Sequence, residues 1–281
     1  MTTGTFEYRL GDTAVTVLDS GLLVFEMADA LGLTAADWGP RYAEYFAQPL
    51  HVPMQHVLVQ TPETTLLVDA GSYDLPANSP IRVPGYTPPP SLPAQLQSRG
   101  VAPESVEHLV ITHLHLDHYN GLTEAHGGTP RPCFPNATVY VGASDWAGPR
   151  GQDARKRPGS AEYATLGEAA RRNKLATVTG RLRLATGVEI LPMPGETPGH
   201  LGLRVASGDD VLYAVGDLIH HAVEAAEPEW HVTWADHATI VASRHDVLDQ
   251  AAKEGALIVA SHIAGAGRVH PAASGWTWLP V

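Results

Sequence analysis

The sequence predicts an α+β protein in which two β-sheets pack face to face and helices cover their outer sides. Three observations carry this. Short apolar strands punctuated by turn residues come in two similar passes, hairpins first in each. Helix-prone stretches follow each pass instead of alternating with single strands. No linker or shift of composition divides the 281 residues, a length that one large core can fill. The chain is therefore expected to be a single domain over residues 1–281.

The elements follow in order. Residues 7–19 read as a hairpin, Tyr8–Leu10 and Ala14–Leu18 around a Gly11-Asp12 turn. Segment 22–54 holds Leu23, Phe25, Leu31, Trp38, Tyr45 and Phe46 at loose helical spacing with few charges. It reads either as an ordinary amphipathic helix over a sheet or as an insertion, a lid or interface whose apolar face roofs a pocket or meets a partner. A second hairpin pairs His56–Gln60 with Thr65–Gly71, followed by a proline-rich loop at 75–90 and a short helix from Ser91 to Arg99. Val106–Ile111 is a strand. Asn120-Gly121-Leu122 is expected to lead into a helix, 129–135 to be a crossing connection, and 137–141 a strand before a helix opened by Asp145-Trp146. Residues 149–181 are polar and helix-prone, with Glu162, Glu168, Arg171, Arg172 and Lys174 read as mostly solvated and without chemistry. Strands resume at 188–191, 202–205 and 211–215, the last two joined through Gly208-Asp209. Residues 236–254 form an amphipathic helix with Asp236 as N-cap and Gly255 closing it. A strand at 256–260 delivers Ser261-His262, and 268–281 reads as one further strand.

Composition narrows the function classes. Hydrophobic residues are 44% and charged residues 17%, ordinary for a globular enzyme. The net charge is -12 and the one basic cluster is Arg155-Lys156-Arg157, so neither nucleic acid nor an anionic membrane is an expected partner. The lone Cys133 excludes an internal disulfide and a cysteine-built zinc site, and reads as a small apolar filler. The first residues show no basic and apolar leader, and no run approaches the ~20 apolar residues of a membrane span. A cytoplasmic protein is expected.

The chemistry concentrates in Thr112-His113-Leu114-His115-Leu116-Asp117-His118, entered from His108-Leu109-Val110-Ile111. Extended geometry aims positions 113, 115 and 117 to one side, and a turn at 118 lets another imidazole join from a different angle. One short loop can in this way feed two adjacent cations. The plain alternative is a polar loop rich in histidine, but ligand-type residues at such spacing point to metal. Three more positions share one setting, a strand end followed by a loop. They are His200 after Gly195-Glu196-Thr197-Pro198-Gly199, Asp217 after Val215-Gly216, and His262 after Ala260-Ser261. Small residues beside each let the backbone approach a compact site. Asp69, ending an apolar strand before Ala70-Gly71, is either a turn cap or an orienter of a ligand imidazole.

The series Asp69, His113, His115, Asp117, His118, His200, Asp217, His262 resembles the motif series of the metallo-β-lactamase-fold superfamily of hydrolases. The resemblance implies a four-layer αββα sandwich with a dinuclear metal site at one sheet edge. His113, His115 and His200 would hold one ion, Asp117, His118 and His262 the other, and Asp217 would bridge them. Two divalent ions are the implied cofactors. The imidazole and carboxylate donors suit zinc first, or Mn, Fe or Co. Paired ions activate a shared water and polarise a carbonyl or phosphoryl oxygen, so no Ser or Cys triad is needed. The superfamily's diiron redox branch resembles His-x-Glu-x-Asp, where this chain has His115.

The Gly216-Asp217-Leu218-Ile219-His220-His221 stretch and the tail after His262 resemble two groups, the methyl-parathion-hydrolase-like organophosphate hydrolases and the N-acyl-homoserine lactonases. Lactonases resemble Asp-x-x-Tyr after the bridging carboxylate. This chain has His220 there, which tilts the resemblance toward the phosphotriesterase-like group. His220 reads as a hydrogen-bonding group at the pocket or as a surface or core histidine, and His221 as structural. Asp117, Asp217 and His220 are the side chains expected at the reacting atoms. The expected substrate is a small neutral, apolar lactone, aryl ester or phosphotriester, and the resemblance suggests a homodimer. Rival readings are a thioesterase or β-lactamase-like hydrolase of the same fold, and a metal-binding regulatory or assembly protein without turnover.

Overall fold

A computed structural model of the chain describes residues 4–75, 78–126 and 129–281. Met1–Thr3 of the N-terminal stretch and Pro76-Ala77 of the proline-rich loop lie outside them. In chain order the first half gives β1 (Phe6–Leu10), β2 (Thr13–Phe25), β3 (Leu50–Gln60), β4 (Thr65–Val68) and β5 (His108–Val110). A two-stranded ribbon, β6 (Thr123–His126) and β7 (Thr129–Pro132), precedes β8 (Thr138–Gly142) and β9 (Leu175–Val178). The second half gives β10 (Leu182–Ala185), β11 (Val188–Pro192), β12 (Leu201–Ser207), β13 (Asp210–Gly216), β14 (Leu257–Ala260), β15 (Gly267–Pro271) and β16 (Trp276–Pro280).

These form two seven-stranded sheets in the orders β1-β2-β3-β4-β5-β8-β9 and β10-β11-β12-β13-β14-β15-β16. The hairpins pair antiparallel, while β4, β5, β8 and β9 run parallel, as do β13 and β14. The alternation of each strand sorts its residues. Val15, Val17, Val57 and Val59 of the first sheet meet Ile190, Leu203, Val205 and Leu212 of the second in one buried layer. On the outer face of the first sheet, Leu58, Leu67, Leu109 and Val139 pack under Leu92 and Leu96 of the helix Leu92–Ser98. On the outer face of the second, Tyr213, Val215 and Ile258 pack under Ile240, Leu248 and Ala251 of the helix His237–Glu254. The layers are thus helix, sheet, sheet, helix, as the sequence predicts. That long helix starts where Asp236 accepts a hydrogen bond from the Thr239 N–H and stops at Gly255, which adopts the left-handed conformation its φ of 58° requires.

Several local expectations fail, each for a physical reason. Segment 22–54 is not one helix. Its ends extend β2 and β3, and between them lie the short helices Met27–Leu31, Ala35–Trp38 and Ala43–Phe46. The patchy periodicity is the sum of these pieces. Their apolar side chains gather with Val223 and Val232 into a separate cluster of Leu23, Met27, Tyr42 and Phe46. The helix expected after Asn120-Gly121-Leu122 instead precedes it, at Leu116–Tyr119, and the chain turns into β6. The supposed crossing connection begins as β7, and the polar 149–181 stretch ends in β9. Glu162 is buried, not solvated, accepting hydrogen bonds from the Tyr119 hydroxyl at 2.9 Å and Arg150 at 2.6 Å. Residues 268–281 fold as two strands, β15 and β16. Among the described residues no helix is long and apolar enough to cross a membrane.

Candidate metal centre

The candidate side chains leave from one edge of both sheets. Asp69 follows β4, the 111–118 loop follows β5, Asp217 follows β13, and His262 lies two residues beyond β14. His200 immediately precedes β12, which runs antiparallel to β13 and so presents its start at that edge. Two glycines permit the crowding. A Cβ on Gly216, at φ 57°, would meet His200 Nε2 and Thr112 at 2.8 Å, and one on Gly71 would run into the Asp117 carbonyl.

The centre is built around one carboxylate oxygen. Asp217 Oδ2 lies 3.3 Å from His118 Nε2, 3.3 Å from His262 Nε2, 3.4 Å from His220 Nε2 and 3.7 Å from His113 Nε2. Asp117 Oδ2 stands 3.5 Å from both His118 Nε2 and His262 Nε2. His113 Nε2 and His115 Nδ1 are 2.8 Å apart, and Glu196 Oε1 is 3.4 Å from His115 Nδ1. Among the described residues two groups have ligand atoms all within 4.8 Å of one another. One is His113, His115, Glu196 and Asp217, the other Asp117, His118 and His262. All are buried except the half-buried His115 and Asp117.

Neighbouring residues fix which nitrogen each ring presents. Asp69, at a left-handed φ of 61°, accepts from the Thr112 N–H at 2.7 Å and the Thr112 hydroxyl at 2.9 Å. Its Oδ2 also takes His118 Nδ1 at 2.9 Å, which leaves His118 Nε2 facing the centre. The Pro53 carbonyl does the same for His262, holding Nδ1 at 2.8 Å. The Gln55 amide ties down the loop that carries His262, donating to the Ala260 and Ile263 carbonyls at 2.7 and 2.6 Å. Asp145 braces the loop before His200, accepting from the Gly199 N–H at 2.7 Å and the Thr197 hydroxyl at 2.6 Å.

The electrostatics are those of a site that protons share. Burial and neighbouring imidazoles hold His113 well below the usual histidine range, and burial lowers His200. Burial opposes charge on His118, but Asp217, Asp117 and Asp69 raise it well above that range. Burial likewise opposes charge on Asp217, yet His118, His262 and His220 hold its carboxyl well below the usual carboxylate range. Cations entering here would displace those protons, so affinity is coupled to pH. The residues fit a metal on independent grounds. His118 Nε2, Glu196 Oε2, His200 Nδ1 and Asp217 Oδ1 are buried polar atoms without a hydrogen-bond partner, and such atoms are rare and need a reason. The donors are nitrogen and oxygen, as zinc and its neighbours in the series prefer.

The structure thus brings together His113, His115, Asp117, His118, Asp217 and His262, with Asp69 behind them. His200 lies beside them, outside the two groups. That ring packs on His113 at 5.2 Å, and its Nε2 accepts the Asp217 N–H at 3.2 Å. Glu196, which sequence reasoning passed over, takes the place beside His115. His220 joins the centre, while His221 turns away, accepting the Val223 N–H and packing on Tyr45. Trp234 stands at the mouth. It is half exposed, its indole N–H donates to Glu196 Oε1 at 2.6 Å, and its rings lie 6.3 Å from His115 and 6.4 Å from His220.

A mixed two-sheet sandwich with this histidine and aspartate edge defines a family, and the chain belongs to the metallo-beta-lactamase superfamily, whose pattern it matches over residues 56–262. Probable metallo-hydrolases of Mycobacterium bovis and Mycobacterium tuberculosis are each 28% identical over 186 residues, 59% of this chain and 56% of theirs. The chain thus spans just over half the length of these curated relatives. Among solved structures it resembles a hydrolase in the beta lactamase superfamily, with TM-score 0.80 and 21% identity over 100% of this chain and 98% of that one. It also resembles AidC, a dizinc quorum-quenching lactonase solved with a homoserine product, with TM-score 0.78 and 21% identity over 99% and 97%.

Proposed function

We propose that this chain is a dinuclear metal-dependent hydrolase of small neutral lactones, aryl esters or phosphotriesters, with zinc as the resident metal. One observation carries the reading. Asp217 Oδ2 stands within 3.3–3.7 Å of imidazole nitrogens from both ligand groups, so one carboxylate could serve both sets of ligands. In this reading His113, His115 and Asp217, with Glu196 or His200, would hold one ion, and Asp117, His118, His262 and Asp217 would hold the other. Ions so held supply Lewis acidity toward a carbonyl or phosphoryl oxygen and a water acidic enough to react near neutral pH. The chain's own groups do the rest. His115 and Asp117 are the ligands that solvent reaches, so substrate arrives on their side. Trp234 offers an aromatic face there for an acyl or aryl group. Asp217 and Asp117 would accept hydrogen bonds from a water in the centre, and the Nε2 edge of His220, 3.4 Å from Asp217 Oδ2, would be the part of that ring nearest a substrate. The resemblance in fold to lactonases and to a further hydrolase supports the reaction class and leaves the choice of ester to experiment.

The test is a panel of acyl-homoserine lactones, p-nitrophenyl esters and paraoxon with zinc-loaded protein, repeated with His115→Ala. Turnover that falls at least ~100-fold in the variant, as loss of a metal ligand demands, supports the proposal. Two bound ions with no turnover on the panel would overturn it.

A further inference from the structure

Next to the metal centre lies a buried ion pair that metal binding does not require. Glu224 and Arg244 are both 0% exposed, and Arg244 Nη2 donates to Glu224 Oε1 at 2.6 Å. Arg244 reaches in from the long helix His237–Glu254. Its remaining donors go to the Leu218 carbonyl at 2.7 Å, the Pro228 carbonyl at 3.1 Å and the Trp230 carbonyl. Glu224 sits in the short helix Ala222–Ala226, where its Oε2 accepts the backbone N–H of His220 at 2.5 Å and of His221 at 3.1 Å. A capping glutamate does this work at a surface without a buried partner. Removing two charges from water is expensive, and apolar replacements of such pairs are often as stable or more so. The pair therefore calls for a reason beyond the helix start.

What Glu224 Oε2 also faces is the ring of His220. Nδ1 lies 3.4 Å from it, while Nε2 lies 3.4 Å from Asp217 Oδ2 and 3.8 Å from Glu196 Oε1. The ring stacks on Phe25 at 5.5 Å and 16° and on His262 at 5.9 Å and 5°. The stacking fixes the plane of the ring. It does not fix which edge faces the metals, because a half-turn about the ring's attachment leaves both stacks in place. A carboxylate on one edge makes that choice. Glu224 itself cannot swing away, because Arg244 and the two N–H groups hold it.

We propose that the Glu224–Arg244 pair is a positioning device for His220, locking the ring with its Nε2 edge toward the metal centre. Its kinetic consequence rests on the hydrolase reading, but its geometry does not. The test uses zinc-loaded protein and three variants, His220→Ala, the double Glu224→Gln/Arg244→Met, and the triple combination. The double variant removes both buried charges and keeps an acceptor for the His220 N–H. It is expected to lower kcat about 10- to 100-fold, the usual effect of losing a group that orients a metal-site histidine, with KM and bound metal close to wild type. The triple variant should be no slower than His220→Ala, since groups acting through one residue do not add. Should the double variant fold poorly, Glu224→Asp keeps the charges paired while withdrawing the carboxylate from Nδ1, and the same fall in kcat is expected. A crystal structure of the zinc-loaded variant supplies a readout free of turnover, with the His220 ring expected to rotate or split over two conformers. An unmoved ring, or a triple variant slower than His220→Ala by the full factor of the double, overturns the inference. Absence of wild-type turnover on every substrate would instead count against the hydrolase reading alone.

Discussion

Asp69→Asn is the substitution whose outcome the geometry fixes most closely. Asparagine tolerates the left-handed backbone at φ 61°, so the strand end can persist. Its carbonyl oxygen can keep the Thr112 N–H, now bound at 2.7 Å, and the Thr112 hydroxyl can reverse to accept from the new amide. His118 has no such escape. Its Nδ1, 2.9 Å from Asp69 Oδ2, would face an N–H donor. The ring must then either leave two donors opposed or move its proton to Nε2, the atom a cation needs. Orienting carboxylates of this kind are worth about 10- to 100-fold in metal affinity, or about 1.4–2.7 kcal/mol. That range agrees with about 1.5–3 kcal/mol for one hydrogen bond to a charged group. A competition titration of zinc against a chromophoric chelator measures it, with circular dichroism confirming the fold. Wild-type affinity in Asp69→Asn would refute the argument that Asp69 selects the tautomer of His118.

Two further outcomes follow from the same contacts. Gly71→Ala should lose zinc while keeping its secondary structure, because the added methyl collides with the Asp117 carbonyl where Ala70 and Gly121 stitch the loop to the helix Leu116–Tyr119. Isothermal titration with zinc checks this, and full binding would contradict it. In acid, burial alone would push Glu224 up, but Arg244 and His220 pull it from 4.5 to about 2. Its contribution is present above pH 4.5 and lost as pH falls toward 2, about 3 kcal/mol from this group by linkage. Denaturant unfolding of metal-free protein between pH 5 and 2 should show Glu224→Gln/Arg244→Met losing less stability over that window than wild type. Equal losses would contradict the assignment.

The sandwich and most of the centre were legible because their signals are local. Strand alternation sorts residues two apart, and the 113–118 run sets ligand atoms together before any tertiary contact forms. Asp217 and His262 were found from the glycine or serine beside each at a strand end. Glu196 was missed since only the loop that Asp145 braces carries it to His115. A lone glutamate between Gly195 and Thr197-Pro198 was the one available hint. Glu224 and Arg244 lie 20 residues apart on separate helices, and no spacing rule joins them. Segment 22–54 misled because strand ends and three short helices superimpose their periodicities. Strand β9 escaped because Leu175–Val178 is too short to stand out from the polar stretch before it.

The central claim is that side chains from position 113 to 262 hold a pair of cations. Metal analysis of the purified chain after equilibration with zinc, alongside His113→Ala and Asp217→Ala, tests it most directly. Two ions per wild-type chain, taken up with release of protons and lost in the variants, is the expected result. A chain that stays metal-free, or variants that bind as the wild type does, would contradict it.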